Sequence, residues 1–272
     1  MEDRRGSPRR RRGAQFGMGT IIVLLVGAFV GGDAAQLLQG LLGAGGGQQG
    51  HTQSEPLDPA NDSERETVEF INFVHEDVKG AWDRILGPDY VHPKLVLFRE
   101  GTNTGCGFSK SDIGPFYCPA DQTAYIDLSF YRDLKQRFKA PGDFAQAYVL
   151  AHEVGHHVQH LLGTSTAVRK AQARNPSMKN ELSVRLELQA DCYAGLWAHS
   201  TKQRELLERG DLEEALGAAS AIGDDRLQKQ AGRAVQAETW THGSSAQRMR
   251  WFSRGMETGS IDACNTLAAE RI

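Results

Sequence analysis

The 272-residue chain has four cysteines, Cys106, Cys118, Cys192 and Cys264, and no CxxC pair among them, which argues against a structural zinc ribbon. It also lacks a dominant charge. Its 31 Lys and Arg stand against 34 Asp and Glu, and the net charge of −3 comes with no extended basic stripe in the soluble part. That balance gives no case for nucleic-acid binding. Its histidine-rich stretch lacks the third histidine of an HExxHxxGxxH pattern, because Gln159 stands at the glycine position and Leu162 at the third-histidine position. A metal site, if present, must draw a ligand from elsewhere in the chain.

What is there begins with Arg4, Arg5, Arg9, Arg10, Arg11 and Arg12, followed by an uncharged run from Gly13 to Gly32. A run of about twenty residues just spans the hydrocarbon core as a helix. Basic residues ahead of it predict a cytoplasmic N-terminus and an exported C-terminal part. Ala34-Ala35 makes a poor cleavage site, which favours an uncleaved signal anchor over a signal peptide. The expected organisation is a basic cytoplasmic arm over 1–12, a transmembrane anchor over 13–32, a Gly- and Gln-rich flexible linker over 33–60, and one domain over 61–272. An even cysteine count in an exported domain suggests disulfides. Of three pairings, Cys106–Cys118 and Cys192–Cys264 are preferred, the second tying the C-terminus to the helix of Glu187; four free thiols are the alternative.

The pattern that carries chemistry is His152-Glu153-Val154-Gly155-His156, an HExxH motif. On a helix, positions i and i+4 share one face a turn apart, so both imidazoles can address one ion. Glu153 then sits beside that ion as a general base for water. Pro141-Gly142 break the chain beforehand, Asp143 is a candidate N-cap with Gln146 completing a capping box, and Gly163 can end the helix. His160 lies about 12 Å along the axis from His152, too far for a shared ion, and His157 points about 100° from His156. Both read as surface or supporting histidines.

A carboxylate from a second helix is the remaining source of a third ligand. Residues 178–200 form a helical pattern with Leu182, Leu186, Ala190, Tyr193 and Trp197 as its buried stripe. Glu187 lies 31 positions beyond His156, enough for an antiparallel return. Asp191, one turn later, can accept the free N–H of a ligand histidine and fix its tautomer. The competing reading makes Glu187 and Asp191 a solvated acidic face. Elsewhere, a helical pattern covers Glu64–Leu86, and strand signals cover Lys94–Arg99 and Ala124–Leu128. The second strand is expected directly before the HExxH helix, as an edge along which a peptide lies or as an ordinary half-buried strand. From residue 143 onward the pattern is mostly helical.

HExxH answered by ExxxD on a second helix resembles the gluzincin metallopeptidases. More narrowly, Gly114-Pro115-Phe116-Tyr117-Cys118-Pro119, His152 to Gln159, Glu187 to Gly195, Ile222 to Gln230 and Thr241 to Phe252 are similar to the bacterial putative neutral zinc metallopeptidase family, which is membrane-anchored. The resemblance implies a zinc peptidase, where spacing alone implies a zinc hydrolase. It also supports a functional role, though no particular one, for the stretch holding His242; His242 is a candidate stabiliser of the oxyanion, and a capping or packing histidine is the competing reading. Tyr193 and Tyr148 are alternative donors, and Arg248 is a partner for Asp191 or for a substrate carboxylate.

The expected fold is therefore α+β, a zincin-like domain that is mostly helical with a small sheet. The expected site is one Zn2+ on His152, His156 and Glu187, with Glu153 as base and Asp191 behind the ligands. The expected partners are a peptide or protein substrate and, through the N-terminal helix, the bacterial cytoplasmic membrane, with the peptidase domain outside. A non-catalytic module whose zinc only stabilises the fold, and a zinc amidase acting on a cell-wall substrate, stay open as alternatives.

Overall fold

A computed structural model describes residues 1–6, 62–110 and 114–272. The anchor expected over 13–32 and the linker over 33–60 lie outside these residues. Among the described residues no helix is long and apolar enough to cross a membrane. The described chain is α+β, mostly helical with a small sheet.

The sheet is built from β1 (Glu2–Asp3), β2 (Lys94–Phe98), β5 (Phe116–Cys118) and β6 (Thr123–Asp127), in the order β1-β2-β6-β5. β1, β2 and β6 run parallel, and β5 pairs antiparallel with β6, Tyr117 opposite Ala124. A separate hairpin joins β3 (Gly101–Thr104) to β4 (Gly107–Lys110). Strand side chains alternate between faces. Leu95, Leu97, Ala124 and Ile126 therefore enter the main helical core, while Val96, Phe98, Tyr125 and Cys118 form a smaller apolar cluster on the other side. Burial on both faces explains why Lys94–Phe98 reads as a continuous apolar run.

The helices are α1 (Arg65–Leu86), α2 (Leu128–Gln136), α3 (Asp143–Leu161), α4 (Thr164–Arg174), α5 (Lys179–Gln203), α6 (Asp211–Ala221), α7 (Asp224–Gln230) and α8 (Ser245–Thr258), and α3 packs directly on β5 and β6. α3 is buried almost all round, as a central helix must be. α5 crosses it closely because Gly155 faces Ala190, and a β-carbon on Gly155 would lie 3.0 Å from the Ala190 carbonyl oxygen. α8 lies closer still on α5. A β-carbon on Gly255 would stand 2.0 Å from the Cys192 carbonyl oxygen, so only glycine permits that approach. Disulfides join Cys106 to Cys118 and Cys192 to Cys264, the preferred pairing.

Several local expectations need correction. β6 does not directly precede the HExxH helix, since α2 intervenes, and it is an interior strand rather than an edge. Asp143 is not the N-cap of α3. Gly142 holds that position at φ 121°, and Glu214 of α6 accepts from the Phe144 N–H at 3.1 Å instead. A carboxylate there also complements the helix dipole. Leu182 and Leu186 are only half-buried, because Val184, Glu187, Leu188 and Cys192 face the interior.

Candidate metal centre

α3 carries His152 and His156 one turn apart, with ring centroids 4.8 Å from each other. α5 brings Glu187 to both: its Oε2 lies 3.2 Å from His152 Nε2 and its Oε1 3.4 Å from His156 Nε2. One donor atom from each residue falls within 4.8 Å of the other two. Two imidazole nitrogens and a carboxylate oxygen are the donor set that zinc takes in hydrolytic sites. The trio is well shielded, His152 and Glu187 each being 6% exposed.

The atoms behind the trio fix which nitrogens face inward. His152 Nδ1 is 2.9 Å from Asp191 Oδ1, and His156 Nδ1 is 2.9 Å from Gln159 Oε1. Each ring's Nε2 is thereby turned toward Glu187. Asp191 is fully buried and saturated. It accepts from Tyr148 Oη at 2.6 Å and from Arg248 through Nε at 2.9 Å and Nη2 at 2.8 Å. Arg248 is itself 2% exposed, so it neutralises Asp191 and is not available to a substrate carboxylate.

Burial disfavours every charge here, and partners decide each outcome. Burial opposes the imidazolium of His152, but Asp191 and Glu187 outweigh it and lift its pKa to about 9. Burial likewise raises the carboxyls of Glu187 and Asp191, yet the histidines hold Glu187 well below its ordinary value, and Arg248 with His152 hold Asp191 down. The cluster attracts positive charge strongly. Glu153, 7% exposed, is raised above the ordinary carboxylate value by burial, partly offset by His156 and His152. That direction suits a base that must take and return a proton.

His242 sits in the turn before α8, whose N-terminus is a full capping box between Ser244 and Gln247. One buried carboxylate organises the turn. Asp224 Oδ2 accepts from the backbone N–H groups of Thr241 (2.8 Å), His242 (2.7 Å) and Gly243 (3.0 Å), and Oδ1 lies 3.0 Å from His242 Nδ1. Burial raises the Asp224 carboxyl, and the His242 contact overrides it. Gly243, at φ 91°, packs so closely on Val184 and Leu188 that the turn lies against α5.

His157 is neither a surface histidine nor a support for the trio. It is fully buried, with Nδ1 2.9 Å from Tyr117 Oη and Nε2 2.5 Å from the Val91 carbonyl oxygen, and so joins α3 to β5. His160 is half-buried and ligates nothing among the described residues. Tyr193 packs edge-on against Trp82 at 5.3 Å. Asp224 was missed from sequence; the Ile222–Gln230 stretch signalled importance without indicating that its first aspartate would fold the His242 turn. Tyr131 was missed too. Its hydroxyl is buried without a partner among the described residues, and burial together with the Glu153 charge raises its pKa.

A buried His-His-Glu trio on two crossing helices, with a glutamate beside the first histidine, is a donor set that could hold a metal ion. The chain belongs to the family described as putative neutral zinc metallopeptidase, whose profile matches residues 1–267. It is 50% identical over 251 residues to the uncharacterized protein YpfJ of Escherichia coli K12, covering 92% of this chain and 86% of that protein. It is 46% identical over 204 residues to the uncharacterized protein Rv2575 of Mycobacterium tuberculosis H37Rv, covering 71% and 68% respectively. No solved structure matches the chain significantly.

Proposed function

We propose that the protein is a zinc peptidase in which His152, His156 and Glu187 hold the metal and Glu153 is the general base. The observation that carries the reading is the convergence of the three donors on one buried point, both histidines oriented from behind. Zinc, when bound, lowers the pKa of a water toward about 7 and polarises a carbonyl. Glu153 takes the proton of the attacking water and hands it to the leaving amine. His242, held at Nδ1 by Asp224, is the side chain that stabilises the developing oxyanion. Asp191 and Arg248 keep His152 in its ligand tautomer.

The substrate is an extended peptide. Among the described residues β5 is the antiparallel outer strand beside α3, and its outer side can accept a peptide by strand addition. Tyr117 at its centre is fixed to α3 through His157. This reading moves the substrate edge from the strand of residues 124–128 to Phe116–Cys118. The test is hydrolysis of an unfolded protein by the zinc-loaded chain, with and without a chelator. Chelator-sensitive cleavage restored by zinc is expected; cleavage indifferent to the chelator contradicts the proposal.

A further inference from the structure

Residues 1–6 stand on the far side of the uncharged run 13–32 from the rest of the described chain, yet they are built into its fold. Glu2 and Asp3 form β1, in register with Val96 and Leu97 of β2, and Arg4 N–H donates to the Leu97 carbonyl at 2.7 Å. Arg4 also reaches the Asn103 carbonyl oxygen (3.0 Å) and Thr102 Oγ1 (3.3 Å), and its guanidinium stands 6.0 Å above the Tyr125 ring.

Arg5 is the anchor. Its side chain is only 2% exposed and meets Asp3 at 2.8 Å, Asp62 at 2.6 Å and Glu64 at 3.0 Å. Glu64 in turn meets Arg99 at the end of β2. A guanidinium buried in this way needs its carboxylates, because an unpaired buried charge costs several kcal/mol and the fork geometry fits the pairs bidentately. Arg5 thus lies directly against Asp62 and Glu64, so positions 5 and 62 meet at one spot.

We infer that residues 1–6, through the strand Glu2–Asp3 and the contacts of Arg4 and Arg5, are an integral part of the folded domain, which places them and residues 62–272 on the same side of any membrane the protein meets. The pairing requires direct contact between β1 and β2, and a bilayer core of about 30 Å between them forbids it. A single crossing by the run 13–32, with the arm inside and the domain outside, is incompatible with this strand. Positive charge ahead of an apolar run ordinarily sets orientation. Here Arg4 and Arg5 are occupied by the sheet and by the carboxylates of the domain. The inference stands apart from the peptidase reading, since none of these residues belongs to the metal centre.

The test uses the full chain in intact bacterial cells. All four native cysteines are bridged, so one added cysteine is the single free thiol. Ser7→Cys, the next residue in sequence after 1–6, and Lys170→Cys, exposed on α4, are treated with a membrane-impermeant thiol reagent. The same two variants in permeabilised cells set full labelling. Equal labelling of both positions in intact cells, or equal protection, is the expected result. Labelling of position 170 with protection of position 7 overturns the inference. Arg5→Glu supplies the second readout, because it sets a fourth negative charge among Asp3, Asp62 and Glu64. It is expected to lower the melting temperature by several degrees and expose residues 1–6 to proteolysis, with Arg5→Lys intermediate. An unchanged melting temperature and protease pattern for Arg5→Glu also overturns it.

Discussion

Asp191 Oδ1 lies 2.9 Å from His152 Nδ1 across the crossing of α3 and α5, and the same carboxylate holds Arg248 in a two-pronged contact. One side chain thus orients His152, ties α8 to α5 and neutralises a buried cation. Asp191→Asn keeps the shape but removes the charge that fixes the tautomer. Zinc affinity is expected to fall about 10- to 100-fold, the usual cost of losing such a partner. A chelator-competition titration measures it, and an unchanged affinity refutes the role.

The dyad of His242 and Asp224 makes a separate prediction. His242→Ala is expected to retain zinc and to lose about 10²- to 10³-fold in kcat, as when an oxyanion donor is removed. Asp224→Asn should lower kcat as well, through a misoriented His242. Metal content and KM near wild type, with kcat reduced, is the expected signature.

The two disulfides should differ in consequence. Cys192–Cys264 closes a separation of 72 residues on the helix that carries Glu187 and Asp191, whereas Cys106–Cys118 closes only 12 at β5. Replacing both Cys192 and Cys264 by alanine is expected to cost about 2–5 kcal/mol of stability, with the shorter loop costing less. Denaturant melts of the two double variants compare them directly.

Acid should loosen the strand beside the site. Burial pushes the pKa of His157 down to about 4, so the folded state favours its neutral ring. The stability this gives is fully present above an unfolded pKa of about 6.5 and is lost as pH falls toward 4. His75 on α1 follows the same direction for the same reason. Melting temperatures of the metal-free chain between pH 7 and pH 4.5 should fall more steeply for wild type than for His157→Gln. Parallel curves contradict this assignment.

Much of this architecture was legible because its signals are local. The HExxH spacing, the Glu64–Leu86 helical pattern and the apolar run at Lys94–Phe98 are periodicities that survive without tertiary context. Glu187 and Asp191 stood out because two acids one turn apart interrupt the largely apolar run Leu186–Trp197. What escaped depends on contacts between segments distant in sequence. The cap of α3 comes from Glu214, 70 residues away, and His157 is buried by Tyr117 and Val91, which no helical wheel includes. The position of β6 inside the sheet depends on β5 and β2 both pairing with it. Arg5 reads as one of many arginines until Asp62 and Glu64 close around it.

The central claim is that Glu153 moves the proton while His152, His156 and Glu187 hold the metal. The most direct measurement is hydrolysis of an unfolded protein by wild type and Glu153→Gln, each with its zinc content determined. The account predicts equal zinc in both and a rate for Glu153→Gln lower by about 10²- to 10⁴-fold, the usual contribution of a positioned base. Equal zinc with equal rates would contradict it.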